Sequence, residues 1–214
     1  NTQLLSPPIN QTWEYDGTTW SQITTAGTPG GRDRPAMCFY PGLVSSVMFG
    51  GYNGISLTDE TWLYDGIAWT QVAITGSKPS PRNAAKMIYD PVRGHCVLTG
   101  GQDVSGQLSD TWIFDGATWT EQPGTTQMIR DHAFAFLPTT AQAIKFGGFE
   151  SAPNNLSNQT WELGTGIYGS GCAGSNGVPT LTATSAMQLG QNWTVDIDNL
   201  NPTFNLAYVV LGLT

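Results

Sequence analysis

The 214-residue chain carries sixteen acidic against eight basic residues, a net charge of −8, and charged residues make up only 11 % of it. That balance excludes nucleic acid and anionic membrane surfaces as natural partners, since both attract basic protein surfaces. No apolar run reaches the length of a membrane span, and the abundance of Gly, Ser, Thr, Asn and Gln suits a secreted or cell-surface β protein.

In chain order, the first recognisable phrase is Gln-Thr-Trp-Glu-Tyr-Asp-Gly at 11–17. It returns as Glu-Thr-Trp-Leu-Tyr-Asp-Gly at 60–66, as Asp-Thr-Trp-Ile-Phe-Asp-Gly at 110–116 and as Gln-Thr-Trp-Glu-Leu-Gly at 159–164. The lead residues Trp13, Trp62, Trp112 and Trp161 stand 49, 50 and 49 apart, and Trp20, Trp69, Trp119 and Tyr168 follow each by seven. Glycine pairs close the apolar runs between them, at Gly50-Gly51, Gly100-Gly101 and Gly147-Gly148. A fixed period of this length means a stack of like supersecondary units.

The best-preserved unit, 82–121, predicts four strands, at 84–89, 95–99, 111–114 and 118–121. Asp115-Gly116 between the last two reads as a two-residue hairpin turn with both central residues at positive φ. Short runs rich in β-branched and aromatic residues, bounded by Gly, Pro and Asp, are strands, and no stretch keeps a 3.6-residue apolar period. The fold class is therefore all-β, built of four-stranded antiparallel meanders. The glycine pairs are expected where a side chain would block a neighbouring backbone, and the tryptophans at sheet-to-sheet contacts.

The glycine pair, the Thr-Trp-x-Tyr/Phe-Asp phrase and the trailing Trp together resemble the kelch repeat, and Asp-Gly before that Trp is similar to bacterial secreted kelch proteins. The resemblance covers residues 1–168 and implies a β-propeller, the galactose-oxidase-like superfamily included. On that reading a half blade occupies 1–25 and whole blades occupy 32–73, 82–122 and 130–169. Three and a half blades leave two radial faces open, so additional blades or self-association are expected to close the ring. Asn1 in place of Met fits a fragment or processed product. A Gly/Ser linker at 169–178 then leads to 179–214, a partial β-sandwich module or a set of closing strands. Cys38 and Cys96 read as small buried apolar residues, and Cys172 is expected to bond a cysteine farther along the polypeptide.

The candidate functional residues lie on the disc face formed by the connections between strands two and three and between successive blades. Arg32, Arg82 and Arg130 recur at spacings of 50 and 48, each followed by Asp33, Asn83 or Asp131. Such a ring offers fork-shaped donors to an acidic or carbonyl-rich ligand, and in kelch adaptors the resemblance implies acidic-peptide binding by the arginine at this position. The alternative is that each arginine orders its own loop. Tyr52, Asn53, Gln102, Asp103, Phe149 and Glu150 follow the glycine pairs directly and are placed to set specificity. No catalytic constellation is legible: His95 and His132 are the only histidines, no zinc spacing occurs, and Cys38 near Tyr40 does not supply the copper site of galactose oxidase. The sequence thus predicts no cofactor, no metal and a non-catalytic module recognising protein or glycan. A structural subunit of an extracellular assembly and a fragment of a carbohydrate oxidase are the alternatives.

Overall fold

The computed structural model describes residues 7–123, 128–150, 155–158, 160–163, 180–183 and 195–198. Among these residues one 3₁₀ turn at Pro41–Leu43 accompanies twenty strands, and every ladder between named strands is antiparallel. Strands β1 (Thr12–Tyr15) and β2 (Trp20–Ile23) form a two-stranded sheet. Sheet A follows as the meander β3 (Ala36–Tyr40), β4 (Ser45–Phe49), β5 (Thr61–Tyr64) and β6 (Trp69–Val72). Sheet B begins with β7 (Lys86–Asp90) and β8 (His95–Thr99). A small hairpin, β9 (Gln102–Asp103) and β10 (Gly106–Gln107), interrupts it before β11 (Thr111–Phe114) and β12 (Trp119–Glu121) complete the four strands.

The third repeat opens on β13 (Ile129–Arg130). Its sheet C contains β14 (Ala133–Leu137) and β15 (Gln142–Phe146), then the tip strands β16 (Phe149–Glu150) and β17 (Asn155–Leu156) intervene before β18 (Thr160–Leu163). Strands β13, β16 and β17 make a separate ribbon. Strands β19 (Thr180–Ala183) and β20 (Val195–Asp198), within the 179–214 segment, pair with each other. The expected fourth strand of the third repeat, Tyr168, the 169–178 linker and Cys172 lie outside the described residues.

The first strands β3, β7 and β14 lie side by side. Backbone bonds cross from sheet to sheet beside them, from Ala84 N–H to the Arg34 carbonyl at 2.9 Å and from Asp131 N–H to the Ala84 carbonyl at 3.0 Å. This arrangement is compatible with propeller blades, and no sheet closes on itself among the described residues. Sheets A and B bury a large apolar cluster that includes Tyr40, Phe49, Leu98, Trp112, Phe114 and Trp119. A smaller one, Val97 and Ala143 with Ile88, Ile113 and Phe134, joins B to C. Strand β8 is covered on both sides, so Cys96 and Leu98 face A while Val97 faces C, and the strand reads as one apolar run rather than an alternation.

Each residue of the recurring phrase has a structural task. The residue two before the lead Trp accepts its indole N–H: Gln11 from Trp13 at 3.1 Å, Glu60 from Trp62 at 2.9 Å and Asp110 from Trp112 at 2.7 Å. The threonine before the lead Trp accepts the trailing Trp of the next repeat. Trp69 donates to Thr12 and Trp119 to Thr61, both at 2.9 Å. An indole that must be buried thus finds its polar partner on the neighbouring sheet.

The Asp-Gly turn departs from the expected form. Tyr64 pairs directly with Trp69, leaving four residues in the loop, and Asp65 N–H bonds the Ala68 carbonyl at 3.4 Å. Only the glycine has positive φ, 93° at Gly66 and 103° at Gly116. The aspartate caps the turn instead: Asp115 Oδ1 accepts Ala117 N–H at 2.9 Å and Thr118 N–H at 2.8 Å. These backbone donors hold the carboxyls of Asp16, Asp65 and Asp115 below their ordinary range.

Candidate functional site

The glycine pairs build the floor of the loop face. Both members have positive φ in all three repeats, and a Cβ on Gly50 or Gly100 would fall 2.5 Å or 2.4 Å from a carbonyl oxygen of the next repeat. Gly51 N–H bonds the Arg82 carbonyl and Gly101 N–H bonds the Ile129 carbonyl, each at 2.8 Å. Only glycine allows this approach.

Immediately after each pair the chain turns back on the entry segment of its own repeat, and two groups of sequence-predicted residues meet. Asp33 exchanges backbone bonds with Tyr52 at 2.8 and 3.0 Å, and Asn83 with Gln102 at 3.1 and 2.9 Å. Arg130 is paired with Phe149, and its guanidinium lies 4.6 Å from the centre of that ring. Asn53 Oδ1 folds its loop by accepting Ile55 and Ser56 N–H at 2.9 and 2.8 Å. Asp103 Oδ1 does the same for Ser105 N–H at 2.7 Å. Glu150 sits between Ile129 and Asn155 in the ribbon.

The three arginines are not structurally equivalent. The carbonyl that receives the preceding repeat's glycine N–H belongs to Arg82 in one case and Ile129 in the next, so Ile129 holds the place of Arg82. Arg130 instead matches Asp33 and Asn83, and Asp131 matches Arg34 and Ala84, all three with φ between 50° and 58°. Arg130 stands 17 residues before its glycine pair where Arg32 and Arg82 stand 18 before theirs, so the arginine spacing of 48 departs by one from the glycine-pair spacing of 47. A ring of three like arginines is therefore replaced by two structural arginines and one facing Phe149.

Arg82 is 1 % exposed. Its five N–H groups reach the Ser80 carbonyl, Ser80 Oγ, the Gly100 carbonyl and both Asp110 oxygens, the last at 2.6 and 2.7 Å. Burial works to raise the Asp110 carboxyl, but the bonds and charge of Arg82 outweigh it and hold that carboxyl low. Arg32 pairs with Glu60 through a single guanidinium nitrogen, on the oxygen that also receives Trp62. Where the carboxylate becomes Gln159 in the third repeat, the arginine becomes Ile129.

Across the rim, Arg34 reaches Asp131 at 3.4 Å and Asp33 at 3.1 Å, while Arg130 reaches Asp131 at 2.9 Å. Arg34 escaped the sequence reading because it breaks the repeat pattern, standing where the next repeat has Ala84. Beside this network a cleft of about 640 Å³ is lined by Pro7, Pro8, Ile9, Arg32, Asp33, Tyr52 and Gly54. Sequence reasoning passed over Lys145 and weighed His132 only as one of two histidines; both are 1 % exposed, and their side-chain nitrogens have no hydrogen-bond partner among the described residues. Burial, then the charges of Lys145 and Lys86, lower His132 to a pKa of about 3, and burial lowers Lys145 to about 8.

Among the described residues no helix is long and apolar enough to cross a membrane, and no group of three His, Cys, Asp or Glu side chains is gathered to hold a metal ion. Compared with known proteins, the chain matches no family model and no curated protein.

Proposed function

We propose that the chain is part of a kelch-type β-propeller whose loop face recognises a protein or glycan ligand outside the cell, without catalysis. The kelch reading is supported by the tasks found for the Gly-Gly, Thr-Trp and trailing Trp signals. The observation that carries the recognition reading is the pairing of Asp33 with Tyr52 and Arg130 with Phe149 on a rim that Arg34 and Asp131 bridge. Aromatic rings, carboxylates and guanidinium groups then stand together on loops fixed by a rigid sheet, beside a cleft. Rings offer apolar stacking surface while the charged groups orient a polar ligand, a combination suited to sugars and to peptide side chains. Arg82 and Asn83, both buried, serve the scaffold rather than the ligand.

The test is retention on glycan and peptide arrays, comparing the wild-type chain with Tyr52→Ala and Phe149→Ala. Each variant is expected to lose about tenfold or more in retention, the scale of an aromatic hot spot, with its thermal midpoint little changed. Retention by the wild type that survives both substitutions would move the ligand away from this rim.

A further inference from the structure

We propose that Cys38 and Cys96 are the two halves of an intramolecular disulfide that staples sheet A to sheet B. Cys38 lies on β3 and Cys96 on β8, 58 residues apart, and their sulfurs approach to 2.8 Å across the sheet-to-sheet contact. A bonded pair sits at about 2.05 Å, so less than about one ångström of movement closes the bond. The pairing is particular to this interface. At the repeat positions of Cys38 the chain has Ile88 and Ala135, and at those of Cys96 it has Ser46 and Ala143. Between sheets B and C the corresponding contact is the apolar cluster of Ile88 with Ala143. Cysteine occurs on both sides of one contact and on neither side of the next, which a preference for small buried residues alone does not explain.

Chemically, two S–H bonds break and one S–S bond forms. The two protons and two electrons pass to the disulfide of a low-molecular-weight or protein oxidant, whose S–S bond breaks to give two thiols. Cys38, the less buried of the two, makes the mixed disulfide with the oxidant, and Cys96 then attacks the Cys38 sulfur and releases the second thiol. In the closed structure the hydrogen bond to Cys96, then burial, raises the Cys38 thiol far above its ordinary pKa, so the exchange runs while the two sheets are still docking or transiently parted. Closure of a 58-residue loop removes freedom from the unfolded chain and stabilises the pair of sheets that share the larger core.

The experiment refolds the full chain in oxidised and reduced glutathione, blocks free thiols in denaturant, and maps peptides without reduction. The expected result is a linked pair of peptides containing Cys38 and Cys96, a mass lower by two hydrogens, and a thermal midpoint that falls by about 5–10 °C on reduction. Cys38→Ala and Cys96→Ala should each show a midpoint indifferent to reductant, which separates the bond from any packing change. Recovery of both cysteines as free thiols, linkage of either one to Cys172, or a reduced form as stable as the oxidised one would overturn the staple.

Discussion

Lys145 stands two residues before its glycine pair, where the first two repeats have Met48 and Leu98. The ladders confirm the match, since Met48 pairs with Trp62, Leu98 with Trp112 and Lys145 with Trp161. A buried ammonium with no hydrogen-bond partner among the described residues is disfavoured by desolvation. Its pKa of about 8 against an ordinary 10.5 corresponds to a destabilisation on the order of 3 kcal/mol at neutral pH. The sign follows from proton binding. Between about pH 8 and 10.5 the unfolded chain holds a proton on this lysine that the folded chain has released, so stability rises with pH across that window and the penalty is complete below it. His132 acts at the other end: neutral when folded, it draws stability down as pH falls from 6.5 towards 3. Lys145→Leu is expected to raise the denaturation free energy by about 1–3 kcal/mol at pH 7 and to flatten the alkaline limb. Urea titrations at pH 7 and pH 10 check both, and a variant no more stable than wild type would show that the amine finds compensation.

At the scale of elements, the two kinds of arginine separate cleanly. Removing Arg82 leaves the carboxylate of Asp110 half-buried without its forked partner and empties the loop that joins sheets A and B. Arg82→Ala is expected to cost roughly 3–5 kcal/mol, the range for breaking a buried pair. Arg130→Ala removes a partly exposed contact with Asp131 and Phe149 and is expected to cost about 1 kcal/mol or less. Denaturant midpoints of the two variants measure the contrast, and equal losses would mean that Arg130 also orders its loop. The strands were legible because short β-branched and aromatic runs alternate with Gly, Pro and Asp, and sheet B lies within two residues of its expected bounds. The meander was legible because each run is too short to bury both faces alone. The arginine register was not legible. A one-position move of the arginine relative to its glycine pair leaves composition unchanged, and its traces are an arginine spacing of 48 against a glycine-pair spacing of 47 and the exchange of Asp110 for Gln159. The Asp-Gly loop was misjudged because its aspartate caps by side chain rather than by adopting positive φ. The rim contact of Arg34 with Asp131 joins residues 97 apart, a separation no local pattern encodes.

Across the whole molecule, the contact between sheets A and B and the contact between B and C differ in kind. The first buries Tyr40, Phe49, Phe114 and Trp119, with Phe49 against the Trp119 ring at 5.1 Å and Phe114 at 5.0 Å. The second sets Lys145 and His132 where the first has Leu98 and Ala85, and its apolar cluster is smaller. Phe146, which repeats the position of Phe49, is 52 % exposed where Phe49 is 1 % exposed. Apolar burial sets the free energy of local opening, so sheets A and B form the more strongly coupled unit and sheet C opens more readily. Native-state hydrogen exchange should therefore show amides of β8 exchanging only through the largest opening, and those of β15 through one of lower free energy. Lys145→Leu should raise β15 protection towards that of β8 while leaving β3 and β4 unchanged, because the substitution adds apolar contact only on the face turned to sheet B. Equal protection of β8 and β15 in the wild-type chain would mean that the described strands open as one cooperative block, with the polar residues between B and C compensated well enough to transmit it.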